Sequence, residues 1–108
     1  MAATSIQPFR QIGDTVNNQF STSNEVLALT VPSHIVHGFS VRVYNSDATN
    51  SLFIKFGTAD TVVATTAAGM PIPAGTVETF TLDNNITHVA GISAAGTPTV
   101  YFTSGGGA

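Results

Sequence analysis

The sequence has no cysteine and very few charged side chains. Of its 108 residues, 3 are Lys or Arg and 6 are Asp or Glu, so only 8% are charged. The absence of cysteine excludes disulfides and thiolate metal sites. Arg10, Arg42 and Lys55 are too scattered to build the basic patch that neutralises phosphates, so we expect no nucleic-acid partner.

Long apolar segments are also missing. No apolar run approaches the roughly 20 residues that a membrane-spanning helix needs, so we expect no membrane association. The N-terminal segment MAATSIQPFRQ has neither the basic nor the apolar part of an export signal. We therefore expect the chain to be made and folded in the cytoplasm.

Residue patterns typical of catalysis and metal binding are absent. There is no Gly-x-Ser-x-Gly nucleophile elbow, and Asp47, Asp60 and Asp83 lie in predicted turns, where Asp commonly bonds to its own backbone. His34 and His37 are spaced so that an extended chain places them on opposite faces, which does not suit a shared ion. The sequence predicts no catalytic residue, no cofactor and no metal site, and hence no enzyme.

Short alternating apolar segments are what the sequence does contain, and they recur about every ten residues between turn-forming residues. Strands are predicted at 26–31, 39–44, 52–56, 76–82, 88–93 and 99–103, with a further short strand at 61–66. Pro71 and Pro73 predict a turn-rich crossover at 67–75 without ladder pairing. This pattern is typical of a single all-β domain, either an antiparallel β-sandwich or a jelly-roll-like barrel.

The first 24 residues are polar and lack sustained periodicity. We interpret 1–24 as an extended N-terminal arm or a first edge strand, with a disordered tail as the remaining alternative. The β-sandwich domain is then 25–104, and the Gly-rich segment 105–108 is a flexible tail. Four apolar residues of the arm are candidate anchors on a partner protein, or alternatively belong to the domain's own core: Ile6, Phe9, Ile12 and Phe20.

Two tyrosines are the candidate exposed contact residues. In their predicted strands, Tyr44 and Tyr101 lie on the face opposite the apolar side chains. Tyr is enriched at protein interfaces, so both are candidates for an exposed protein-binding surface. They are also the only Tyr or Trp side chains available for a sugar-binding platform, because the chain has no Trp.

Two stretches of the C-terminal half resemble a known family. They are residues 65–82 (TTAAGMPIPAGTVETFTL) and 87–103 (THVAGISAAGTPTVYFT). In the placement of Gly/Pro turns and the rhythm of strands, they resemble small β-rich structural proteins of tailed-bacteriophage virions, in particular capsid decoration (cement) proteins.

The resemblance implies a β-sandwich or jelly-roll domain, commonly a homotrimer, located in the virion. Its implied partner is the major capsid protein, whose outer lattice it would bind to stabilise the head. The resemblance assigns no role to any individual residue. Two other hypotheses remain: an accessory protein of the neck, tail or baseplate, and a carbohydrate-binding β-sandwich module.

Overall fold

Eight β-strands form two antiparallel four-stranded sheets in the residues that the computed structural model describes, 9–31 and 38–106. The first sheet has the order β1-β8-β3-β6 and the second the order β2-β7-β4-β5. No helix occurs in the described ranges, which confirms the predicted all-β class. The strands are β1 Arg10–Gln19, β2 Glu25–Ala28, β3 Phe39–Asn45, β4 Leu52–Gly57, β5 Met70–Ile72, β6 Val77–Leu82, β7 His88–Ser93 and β8 Thr99–Gly106.

The strand pairing is nested along the chain. β1 pairs with β8, β2 with β7, β3 with β6 and β4 with β5, all antiparallel. Two further antiparallel pairings, β3 with β8 and β4 with β7, join these units into the two sheets. The chain therefore crosses from one sheet to the other after β1, β2, β3, β5, β6 and β7, and stays within a sheet only between β4 and β5.

Apolar residues alternate along the strands, and those that face inward from both sheets form the core. In β3, the apolar residues Phe39, Val41 and Val43 are buried, whereas Arg42 and Tyr44, which point the opposite way, are exposed. Period-two alternation of this kind buries one face of a strand and leaves the other to solvent. The buried cluster contains Phe20, Leu29, Phe39, Val41, Val43, Leu52, Ile54, Ile72, Leu82, Val89, Val100 and Phe102.

Phe20 occupies a central position in this core. Its ring packs edge-on against Phe102 of β8, with centroids 6.1 Å apart and planes at 75°. The same ring lies over Gly91 of β7, where an added β-carbon would come within 2.6 Å of it. One aromatic side chain therefore contacts both sheets, and a glycine in the facing strand leaves room for it.

Asn45 is the buried polar residue that ties the two sheets together at one end. It is fully buried, and its Nδ2 donates to the main-chain oxygens of Asn50 and Ile72, both at 3.0 Å. Its Oδ1 accepts from the backbone N–H of Asp47 at 3.1 Å. Because both N–H groups and the oxygen of the amide have hydrogen-bond partners, these bonds offset the cost of burying the side chain.

The segment predicted as an N-terminal arm enters the sheet. Residues 10–19 form β1, which pairs with β8 at the edge of the first sheet with an irregularity between Gln11 and Thr15. Of the alternatives for residues 1–24, the described part therefore matches a first edge strand. At the other end of the chain, β8 continues to Gly106, two residues into the predicted tail, because Gly105 and Gly106 pair with Gln11 and Arg10.

The predicted organisation between β4 and β6 is wrong in two details. Residues 61–66 do not form a strand, and β5 instead contains Pro71, which lies opposite Phe53. Proline is tolerated here because β5 is an edge strand with a neighbour on one side only.

Within the described ranges, no helix has the length and apolar character required to cross a membrane.

Candidate binding surface

Tyr44 and Tyr101 form a stacked pair on the outer face of the first sheet. They lie directly opposite one another on β3 and β8. Their ring centroids are 6.1 Å apart with planes at 23°, and the side chains are 41% and 37% exposed. Cross-strand aromatic pairs of this kind stabilise a sheet by about 0.2–1 kcal/mol. The two rings nevertheless leave apolar area exposed to water.

The tyrosines belong to a row that crosses all four strands. Asn17 of β1 is opposite Tyr101, and Val77 of β6 is opposite Tyr44. Val77 is 44% exposed, so the row presents three adjacent large apolar or aromatic side chains to solvent. We call Tyr44, Tyr101 and Val77 the apolar row.

A second, polar row lies beside the apolar row on the same face. It consists of Thr15, Thr103, Arg42 and Thr79, again one residue from each strand. The Oγ1 atoms of Thr15 and Thr103 are 2.7 Å apart and share one hydrogen bond, so one of the two hydroxyl protons remains available to another acceptor. Arg42 is the charged member of the row.

A groove lies between the two rows. It has a volume of about 370 Å³ and is lined by Arg42, Tyr44, Val77, Tyr101 and Thr103. This volume falls at the lower end of the roughly 300–1,000 Å³ range of ligand-sized sites. The lining combines aromatic rings, a hydroxyl and a guanidinium, so the groove offers apolar contact, hydrogen bonding and positive charge within one small area.

The chain itself packs on the outer face of the second sheet. Ala90 of β7 is opposite Lys55 of β4 and shares its outward direction, yet Ala90 is completely buried. The connection between β4 and β5 reaches this face. The side chain of Val62 lies where a β-carbon on Gly57 would come within 2.6 Å of it.

Asn24 fastens this connection. Its Oδ1 accepts from the backbone N–H of Ala64 at 2.7 Å, and its Nδ2 donates to the main-chain oxygen of Val62 at 3.5 Å. Ala64 is 1% exposed, so the fastened connection is packed and does not hang free in solvent. The outer face that carries the tyrosines is also covered at its Gly105 end, where the ring of Phe9 lies, but Tyr44, Tyr101 and Val77 remain exposed.

The four predicted arm residues lie in four different situations. Ile6 lies outside the described residues. Phe9 is half-buried against Gly105, where an added β-carbon would be 2.8 Å from its ring, and Ile12 is 41% exposed. Phe20 is fully buried in the core, where its alternative assignment placed it. The described arm residues therefore do not form one continuous apolar surface.

Asp47 has local structural partners. The backbone N–H groups of Thr49 and Asn50 donate to Asp47 Oδ2 at 3.0 and 2.7 Å, and they lower the pKa of this carboxyl below its ordinary value. Asp47 thus closes the turn after β3, as its predicted turn position suggested.

His88 has a local partner too. Thr87 Oγ1 lies 3.0 Å from the main-chain oxygen of Thr58 and 2.8 Å from Nδ1 of His88, and it hydrogen-bonds with both. His34 and His37 lie outside the described residues. Among the residues that are described, no group of three or more His, Cys, Asp or Glu side chains is placed to hold a metal ion.

The sequence identified Tyr44 and Tyr101 as contact residues, but it did not identify three further lining residues of the groove: Arg42, Val77 and Thr103. Arg42 and Thr103 are each two residues from a tyrosine in an alternating strand, and that spacing was the signal available for both. In β6 the phase is set by Phe80 and Leu82, which pack in or against the core and leave Val77 outside.

Any inference about the function of this chain is based on the geometry of its surface. No family model matches this chain, and no curated protein matches it either. The groove combines two tyrosine rings, a valine, a threonine hydroxyl and an arginine guanidinium, which are side chains common at protein interfaces.

Proposed function

We propose that this protein is a capsid decoration protein of a tailed bacteriophage, a non-catalytic domain that binds the outer surface of the major capsid protein lattice and stabilises the head. We place its docking surface on the outer face of the first sheet, around the apolar row. The observation that carries the proposal is the exposed pair of Tyr44 and Tyr101 with Val77 on an open sheet face.

The strand order supports a jelly roll as the finer description of the fold. Nested pairing of β1 with β8, β2 with β7, β3 with β6 and β4 with β5 is the arrangement expected when one long antiparallel hairpin is rolled into two sheets. Eight-stranded jelly rolls of two sheets occur in viral capsid proteins and in lectins. Fold alone does not fix function, so the surface must carry the argument.

The surface chemistry supports attachment to a protein. Only 8% of the residues are charged, so the electrostatic cost of bringing many copies close together on a lattice is small. Tyr contributes large apolar area with a hydrogen-bonding tip, and it is over-represented among the residues that dominate binding energy. In line with the resemblance to decoration proteins, we infer that the copies form homotrimers, in which several weak contacts to one lattice would combine by avidity.

The test is binding to phage heads that lack the protein. We expect wild-type protein to co-sediment with the heads and the double variant Tyr44→Ala/Tyr101→Ala to bind at least about 30-fold more weakly, the loss typical of a hot-spot residue. The matched control is Val63→Ala/Met70→Ala, which trims two similarly exposed apolar side chains from the β4–β5 connection and β5.

Three results would contradict the proposal. The first is equal binding by the two double variants, which would move the docking surface elsewhere. The second is a gene that does not lie with phage coat-protein genes. The third is a protein present in only a few copies per particle, since a neck, tail or baseplate component is present in far fewer copies than a decoration protein.

A carbohydrate-binding module is the second candidate, and the groove is the observation that favours it. Two tyrosine rings beside hydroxyl and guanidinium groups suit a sugar, which has both an apolar ring face and many hydroxyls. Binding on a glycan array that is lost in Tyr101→Ala, together with no binding to heads, would favour this function over decoration.

A further inference from the structure

Arg42 is the one charged member of the apolar and polar rows, on the face that we propose for docking. The positions that flank it across the sheet, Thr79 on β6 and Thr103 on β8, are neutral. Along the apolar and polar rows, as the structure describes them, no position carries a carboxylate. Arg42 is exposed, and the groove places its side chain beside both tyrosine rings.

Covering such a residue has a physical consequence. Removing an arginine from water without a counter-charge is strongly unfavourable. Because the two rows supply no carboxylate, a partner that covers the groove stabilises the contact when it brings the counter-charge itself. The net charge of the chain is −3, so Arg42 is a local positive site on an otherwise acidic protein.

The form of the groove narrows the chemistry of this counter-charge. A guanidinium binds a carboxylate through two parallel N–H···O bonds, which fixes the orientation of the acid as well as its position. The walls contributed by Tyr44, Tyr101 and Val77 exclude water when they are covered, and they thereby strengthen the ion pair. The hydroxyl proton left over from the Thr15–Thr103 pair is one further donor for an oxygen of the partner.

We propose that the capsid protein inserts an Asp or Glu side chain into this groove, where its carboxylate pairs with Arg42 while neighbouring apolar atoms pack on the tyrosine rings. The proposal rests on the proposed function and names the chemistry of the contact. Arg42 selects for an acidic partner surface, and the apolar row supplies most of the contact area.

The test compares three single variants in binding to heads that lack the protein: Arg42→Gln, Arg42→Lys and, as the control, Lys55→Gln. Lys55 is an exposed cation on the outward side of the second sheet, so its loss changes the net charge by the same amount. We expect Lys55→Gln to bind like wild type and Arg42→Gln to bind at least about tenfold more weakly. Arg42→Lys should fall between them, because it keeps the charge and loses the two-pronged geometry.

Salt provides an independent readout. Raising the ionic strength from about 0.01 M to about 0.15 M shortens the screening length from about 30 Å to about 8 Å. Wild-type binding should weaken over this range, and binding by Arg42→Gln should weaken less. All variants should unfold at the wild-type temperature, because both cations are exposed.

Each outcome decides a different point. If wild type binds heads and Arg42→Gln binds as well as Lys55→Gln does, this inference is overturned and the proposed function stands. If wild type does not bind heads at all, both fall. If an oligosaccharide of uronic acids binds in an Arg42-dependent way while head binding ignores Arg42, the groove is a site for an acidic sugar and the assignment to a protein carboxylate is wrong.

Discussion

At the scale of single residues, Asn45 links the two sheets. Its buried amide joins β3, the turn that follows it, and β5 of the other sheet through three hydrogen bonds. The sequence does not reveal this buried linking role, because there the asparagine only ends an alternating strand and begins a polar loop. Its partner Ile72 lies 27 positions further along the chain.

Replacing this residue tests its role. Asn45→Ala removes the three bonds and leaves the main-chain oxygens of Asn50 and Ile72 without their partner, so we expect the free energy of unfolding to fall by about 2–4 kcal/mol. Urea unfolding followed by circular dichroism measures this. The control is Asn85→Ala, an exposed residue of the β6–β7 turn, where a change within about 0.5 kcal/mol is expected. Equal losses in both variants would show that the buried amide contributes nothing particular.

The same scale shows what alternation can and cannot tell. Period-two patterning assigned Tyr44 and Tyr101 to the face opposite the apolar residues, and both are exposed. It did not show that they touch, because β3 and β8 are far apart in sequence and their register is set by the fold. Arg42 entered the sequence argument only as one of three scattered cations, although it lies beside the tyrosines.

At the scale of elements, the edge strand β1 was the most ambiguous part of the sequence. Its residues are mostly polar, since one side of the strand faces solvent and its outer edge has no neighbour in the sheet. Polar edge strands read like loops, and the register break between Gln11 and Thr15 interrupts the alternation further. An arm and an edge strand were therefore equally compatible with the pattern.

The pairing of β1 with β8 depends on close backbone contact at one glycine. A β-carbon on Gly105 would lie 2.1 Å from the main-chain oxygen of Arg10, whereas one on Gly106 would meet only Ile12 at 3.5 Å, an ordinary contact. We expect Gly105→Ala to lower the free energy of unfolding by about 1–3 kcal/mol and to speed amide hydrogen exchange at the start of β1.

Gly106→Ala is the matched control, because it makes the same chemical change one residue along the same strand. It should leave stability within about 0.5 kcal/mol of wild type or raise it slightly, since Ala also restricts the unfolded chain. If the two variants exchange and unfold alike, β1 does not depend on this contact.

The placement of β1 also changes how the arm hypothesis must be examined. Deleting residues 1–24 removes β1 and the core residue Phe20, so loss of head binding by that variant would only report loss of the fold. Deleting 1–8, which precede the described residues, isolates the contribution of Ile6 while it leaves β1 intact.

At the scale of the whole molecule, composition and alternation were sufficient for the fold class but not for the topology. Turn-forming residues separated the strands well enough to place β3, β4, β6 and β7 within one residue of their bounds. The pairing partners were out of reach, because every sheet contact except β4 with β5 joins strands that are not consecutive. Pro71 shows the same limit: whether proline can sit in a strand depends on whether that strand is an edge, which the sequence does not reveal.

The two outer faces also differ only at this scale. The connection between β4 and β5 folds over the outer face of the second sheet and is fastened by Asn24. On the first sheet, Phe9 covers only the Gly105 end of the outer face and leaves Tyr44, Tyr101 and Val77 exposed. No local pattern in 58–69 indicates which face this segment covers. The central claim of a docking surface around Tyr44 and Tyr101 therefore depends on the assembled fold.

Cryo-EM of phage heads saturated with the protein tests this claim most directly, at a resolution that identifies individual strands. We predict density in which the outer face of β1-β8-β3-β6 rests on the capsid protein, with Tyr44, Tyr101 and Arg42 at the contact. Density in which this face points to solvent, and the second sheet or a sheet edge meets the capsid, would contradict it.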